Sequence, residues 1–209
     1  KAYTFNERGV INGRRVINER GVIMKKMILL MSIGSLLMGL GGAIQLKAIA
    51  AQWMLEYAWQ NSLKHHQSQK PWPWADTWPV AKLQLGTADP MIVLDSVSGQ
   101  ALAFGPGRML GTGGAENKRL MVVAGHRDTH FSSLNGLSIG DEISVQDLHG
   151  QWRIYVISEI DIINAETHMI DLTEDEQSPH QLMLVTCYPF DAIQAGGPLR
   201  YVVTANEAV

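Results

Sequence analysis

One cysteine occurs in the 209 residues, Cys187, within the stretch Leu-Val-Thr-Cys-Tyr-Pro at 184–189. A thiol is a nucleophile only as the thiolate, so it needs a base or a cation beside it. Without one, a lone cysteine serves as a small buried hydrophobe. Two side chains of suitable type stand where strand-like runs meet glycine. His126 leaves the run Val122-Val123-Ala124-Gly125, and Arg200 follows Gly196-Gly197-Pro198-Leu199. An imidazole exchanges protons near neutral pH. A guanidinium offers a rigid fork of donors to negative charge as it develops. Taken singly, the first is an ordinary turn histidine and the second an ordinary rim arginine. Taken together, a nucleophile, an acid–base group and an oxyanion donor are the parts of acyl transfer through a thioester.

These three residues need a frame that brings distant strand ends together. From residue 80 onward the chain alternates short Val-, Ile-, Leu- and Tyr-rich runs with turn signals. The runs are MIVLDSV (91–97), QALAF (100–104), RLMVVAG (119–125), DEISVQDL (141–148), QWRIYVISEI (151–160), QLMLVTCY (181–188) and RYVVTA (200–205). That pattern predicts an all-β domain, a closed barrel or sandwich, with one helical turn over 131–137. Residues 80–209 are long enough to close one core.

The beginning of the chain is of another kind. Residues 1–26 hold seven Lys/Arg against two Asp/Glu, a balance of +5, while the remainder holds ten against eighteen, −8. Basic residues confined to one end ahead of an acidic body argue against nucleic acid as a partner and suit a membrane contact. From Met27 to Ile44 runs an uncharged apolar stretch of eighteen residues, about 27 Å as a helix and close to the hydrocarbon thickness of a bilayer. Lys25 and Lys26 precede it, which keeps the N-terminus cytoplasmic and sends the rest across. A signal peptide cleaved near Ala48-Ile49-Ala50 is the competing reading. The apolar run exceeds a signal core of 7–15 residues, so an uncleaved signal anchor over 24–50 is expected. Residues 1–23, where NERGVI occurs twice, read as an upstream extension or a disordered tail. Residues 51–79 read as helix, predicted to run over 45–70, followed by a Trp/Pro-rich linker. Five of the six tryptophans lie between 53 and 78; they either sit at a membrane interface or clamp the helix to the domain.

With these features in place, the chain resembles the sortases, cysteine transpeptidases of the cytoplasmic membrane. Met183-Leu184-Val185-Thr186-Cys187 is similar to the family's TLxTC motif, with Met183 in place of the first threonine. Ala124-Gly125-His126-Arg127 is similar to its xGHR strand, and Arg200 stands about a dozen residues after the cysteine. Gly105-Pro106-Gly107 and the stretch Phe131–Ile143 also match, so the resemblance covers 80–205. The cysteine lead-in and Pro189 resemble class C and D members, and the anchored form with an N-terminal helix is similar to a small Gram-negative group. The implied fold is a closed sortase β-barrel of about eight strands with short helices, preceded by an N-terminal helix and membrane anchor.

The resemblance implies a mechanism. Cys187 attacks the carbonyl after the threonine of an LPxTG-like C-terminal sorting signal and forms a thioester. An amine acceptor then resolves the thioester to a new peptide bond. His126 is the acid–base group and Arg200 the oxyanion donor, while Thr186, Val185 and Gly125 contribute to substrate binding. The implied setting is a single-pass protein of the inner membrane with its catalytic domain on the outer side. No metal or cofactor is expected. The remaining histidines are not grouped as zinc ligands, with His180 and His168 assigned to loops and His149 to a hairpin turn. The acidic stretch Asp171–Glu176 reads as a solvated loop, with the calcium-binding loop of some sortases as the competing reading. The competing functions are a cysteine hydrolase on the same site, and an inactive anchored β-domain that binds an envelope protein.

Overall fold

The computed structural model describes residues 7–116, 120–167, 180–194 and 196–208; His168 and the acidic stretch lie outside them. The chain divides into two compact units, Lys1–Ile49 and Ala50–Val209. Helix α1, Glu7–His65, runs through the boundary. In the first unit, Val22–Gly39 is long and apolar enough to cross a membrane, and none of it is buried. This window begins five residues before Met27 and so takes in Lys25 and Lys26.

In the second unit α1 presents a clear buried stripe. Ala51, Leu55, Ala58, Trp59 and Ser62 are buried while Gln52, Trp53, Tyr57 and Gln60 are exposed, the spacing of one helix face. Leu55 and Trp59 pack with Ile92, Leu94 and Ala101. Each large side chain so buried contributes about 1.5–3 kcal/mol. The helix stops at His65, five residues short of the sequence expectation. His66 turns left-handed at φ 50°, and the buried Ser62 hydroxyl accepts the Gln69 amide at 2.8 Å. Trp59 is fully buried, Trp78 packs on the barrel core and Trp72 stands edge-on to Phe104, whereas Trp53 and Trp74 are exposed.

Eight strands form a closed barrel: β1 Pro79–Leu85, β2 Met91–Leu94, β3 Gly107–Arg108, β4 Met121–Ala124, β5 Glu142–Gln146, β6 Trp152–Asn164, β7 Gln181–Cys187 and β8 Leu199–Glu207. The order around the barrel is β1-β2-β3-β4-β7-β8-β6-β5. Pairing is antiparallel except at β2–β3 and β4–β7. Alternate residues fill the interior, among them Leu83, Val93, Val123, Ile143, Val145, Tyr155, Leu182, Leu184 and Val203. On β7 the other face is buried too: Met183 and Val185 join Leu120, Val122 and Val202 in a second apolar layer. A strand apolar on both faces is what a parallel neighbour in mid-sheet demands.

Two local expectations are corrected. QALAF is not a strand. Gly99–Leu102 is a short helix, α2, because the Ser98 side chain caps it by accepting the Ala101 amide at 3.2 Å, and Ala and Leu favour the helical backbone. Two strands, β1 and β3, were absent from the expected set. Lys82 and Gln84 interrupt the apolar run of the first, and the second has only two residues. Gly105 and Gly107 make β3 possible, since a Cβ there would fall 2.7 Å from the Ile92 carbonyl oxygen and 1.9 Å from that of Ser96. His180 lies outside the strands, as expected, directly before β7. It is 3% exposed at the foot of β7, with Nδ1 3.1 Å from the buried Tyr155 hydroxyl. Arg153, Glu207 and Asp147 stand around this pair. The expected helical turn over 131–137 is present as a 3-10 turn, Ser132–Gly136.

Candidate active site

The two parallel and antiparallel pairings of β7 bring the three candidate residues to one end of the barrel. In β4–β7, Ala124 pairs with Val185. The next residues continue the pairing past the end of β4. The Gly125 amide donates to the Val185 carbonyl at 3.2 Å, and the Thr186 hydroxyl donates to the Gly125 carbonyl at 2.7 Å. His126 is therefore held by its backbone beside Cys187. In β7–β8, Cys187 is the cross-strand partner of Arg200. Directly opposed residues on an antiparallel pair have Cβ atoms about 4.5–5.5 Å apart on the same face.

Cys187 is partly exposed and free of any disulfide. His126 is exposed and Arg200 partly so. Among the described residues no hydrogen bond joins the three. Arg200 Nη1 donates to the Gly197 and Leu199 carbonyls at 2.7 and 2.9 Å. Those bonds aim the guanidinium and leave Nε and Nη2 to donate elsewhere. Of the other sequence-predicted site residues, Thr186 is buried with its hydroxyl engaged on Gly125, Val185 packs in the second apolar layer, and Gly125 is buried. Gly125 has a steric reason to lack a side chain, because a Cβ would lie 2.9 Å from the buried Phe131 ring.

Arg127 is a residue whose role the sequence did not reveal. It sits beside His126 yet is 7% exposed, and Nη2 donates to Ala192 O at 2.9 Å and Gln194 O at 2.6 Å. Nη1 is buried with no acceptor. Arg127 thus clasps the β7–β8 connection to the His126 segment. The GHR triplet contains the residue, but nothing in a sequence separates a buried arginine from a rim one. On the other side of Cys187, Tyr188, Phe190 and Tyr201 form an aromatic cluster with centroids 5.1–6.3 Å apart. Burial, and then the neighbouring Tyr188, raise the Tyr201 pKa. The chain then turns back after His126, where the Phe131 amide donates to the His126 carbonyl at 3.0 Å and returns His130 to its side. Desolvation, followed by the nearby His126 charge, lowers the His130 pKa below 6.5. No group of three His, Cys, Asp or Glu among the described residues is arranged to hold a metal.

A sequence profile of the sortase domain matches residues 84–208. The chain belongs to the sortase family. Sortase D of Bacillus subtilis (strain 168) is 29% identical over 83 residues, which span 40% of this chain and 40% of that protein. Among solved structures, sortase A from Corynebacterium diphtheriae superposes with a TM-score of 0.55 at 21% identity, over 65% of this chain and 63% of its own. Sortase C-1 from Actinomyces oris superposes with 0.53 at 22% identity, over 63% and 75%. The closed eight-stranded barrel is the sortase fold. Within it, His126, Cys187 and Arg200 share one end, and the buried His180–Tyr155 pair occupies the other.

Proposed function

We propose that this sortase-family chain is a membrane-anchored cysteine transpeptidase. The reading rests most on one observation: β7 pairs in parallel with β4 and in antiparallel with β8, so that Cys187, His126 and Arg200 emerge at one barrel end. The Cys187 thiolate attacks the carbonyl carbon of the scissile peptide in an LPxTG-like sorting signal. Arg200 donates from its unengaged nitrogens to the oxyanion. As the C–N bond breaks, His126 gives its proton to the leaving amine. An acceptor amine then attacks the thioester and His126 takes the proton back. The C–S bond breaks, the thiolate is restored, and the product carries a new amide bond. Gly125 and Thr186 hold the two reacting segments in register, and Val185 with them floors the substrate site. The apolar segment Val22–Gly39 anchors the protein in the cytoplasmic membrane as a single span, with the catalytic unit on the outer side.

The test uses the full chain in detergent micelles with a sorting-signal peptide, read by mass spectrometry. A thioester adduct on Cys187 and an amide product that takes up added amine are expected. The adduct should be absent in Cys187→Ala. Free-acid product alone, whatever amine is supplied, would make the protein a hydrolase. Turnover that survives Cys187→Ala would remove the thiol from the mechanism altogether.

A further inference from the structure

Beside His130 opens a cleft of about 610 Å³ between the exposed face of α1 and the β1–β2 and α2–β3 connections. Trp53, Tyr57 and Phe104 supply aromatic walls, with Met91 and Ile92 as apolar floor. Besides His130 and Tyr57, three polar residues of α1 line it: Gln52, Glu56 and Gln60. Each glutamine amide has one of its two N–H groups engaged. Gln52 Nε2 donates to Phe104 O at 2.8 Å, and Gln60 Nε2 donates to Glu56 Oε1 at 2.9 Å. Lys82 Nζ also donates to Glu56 Oε1, at 2.8 Å. That leaves Glu56 Oε2 and the two glutamine carbonyl oxygens as acceptors, beside one remaining N–H on each glutamine. Hydrogen bonds from Lys82 and Gln60 outweigh burial and hold the Glu56 carboxyl below its ordinary pKa, so it stays ionised at neutral pH. Aromatic faces and an ionised carboxylate together suit a donor-rich cation on an apolar stem.

The position of the cleft says when such a cation would be used. Its His130 end adjoins His126, the group proposed to take the proton from an incoming amine. We infer that this cleft is the acceptor site, and that the acceptor is a diamine-type molecule. One amino group reaches the thioester past His130, while the second, as an ammonium, is held by Glu56 and the two glutamines with its stem on Trp53, Tyr57 and Phe104. The inference rests on the transpeptidase reading above and gives that reading its second substrate class.

The experiment is a competition on one thioester pool. The full chain in micelles is acylated with a sorting-signal peptide. It is then offered equal concentrations of an α,ω-diamine and the n-alkylamine of the same length, over three to eight methylenes, and the two amide products are weighed by mass spectrometry. Because both amines draw on the same acyl-enzyme, any change in acylation cancels from the ratio. Two equivalent amino groups alone give a ratio of two. One hydrogen bond to a charged group adds roughly a factor of ten at the length that spans the cleft. Glu56→Gln should bring that ratio back to about two, and Trp53→Ala, at a side chain 76% exposed, should lower it. A wild-type ratio near two at every length overturns the inference, and so does a preference that survives Glu56→Gln. Thioester formation with hydrolysis only overturns this site and the transfer step together. Absence of any thioester overturns the proposed function itself.

Discussion

Replacing Arg127 with methionine separates a clasp on the active-site loop from a prop in the core. Two hydrogen bonds from a charged donor are lost, at 2.9 and 2.6 Å to the Ala192 and Gln194 carbonyls, together about 3–6 kcal/mol. Against this, the guanidinium is 7% exposed, its Nη1 lacks an acceptor, and no carboxylate pairs with it among the described residues. Releasing such a cation from burial returns several kcal/mol, methionine refills much of the volume, and the half-exposed loop carbonyls regain water. The global change is then small, about 1 kcal/mol, or roughly 2–4 °C in Tm for a domain of this size. Locally nothing offsets the loss. Opening of the segment 188–197 becomes easier by at least the value of the weaker estimate, about 3 kcal/mol or a hundredfold. Hydrogen exchange resolves this at the Tyr188 amide, bonded to Leu199 O, and the Ala192 amide, bonded to Pro189 O. Both should exchange roughly a hundred times faster, and kcat/KM for a sorting-signal peptide should fall at least tenfold because Arg200 enters from this loop. A Tm drop above about 10 °C with unchanged exchange at those two amides would refute the clasp and leave Arg127 as core support.

Three further outcomes are expected. Gly125→Ala pushes a methyl to 2.9 Å from the buried Phe131 ring, at a cost of about 1–3 kcal/mol, and should lower both denaturation midpoint and kcat; a neutral substitution would mean that the ring gives way. Tyr155→Phe removes the hydroxyl 3.1 Å from His180 and should cost about 1–2 kcal/mol. Its kcat/KM should stay within twofold, because the length of β7 puts that pair ~20 Å from Cys187. The His130 pKa lies below its unfolded value near 6.5, so the unfolded chain binds the proton first. The His130 contribution to stability is therefore constant above about pH 7 and is lost as pH drops through 6.5 toward the folded pKa. Thermal scans of His130→Gln between pH 7 and 5 should show a shallower decline than wild type, and identical slopes would exclude the titration.

The candidate site residues were legible along the chain because they are marked by residue type. Cys187 has no second cysteine to bond, and His126 and Arg200 each follow a glycine-marked strand boundary. The all-β domain after residue 80 and the apolar segment near the N-terminus were legible for the same reason, as patterns that one segment carries by itself. The misreadings fell where a local pattern had two solutions. QALAF has strand-like content, but Ser98 caps it as helix. The helix was expected to continue to residue 70, but Ser62 is buried and accepts the Gln69 amide instead.

What the sequence determined by itself was therefore the inventory: an apolar helix, a set of short strands, one thiol, one imidazole and one guanidinium at strand ends. Tertiary structure decided the adjacency. Nothing local makes β4 run parallel to β7, yet that pairing and the Thr186–Gly125 bond set His126 beside Cys187. The β7–β8 register likewise sets Arg200 opposite the thiol. Burial was decided in the same way. Arg127 and His180 look like surface residues in the sequence, and only closure of the barrel removes both from water. Residue type is a property of one position, whereas register and burial belong to pairs of segments far apart in the chain.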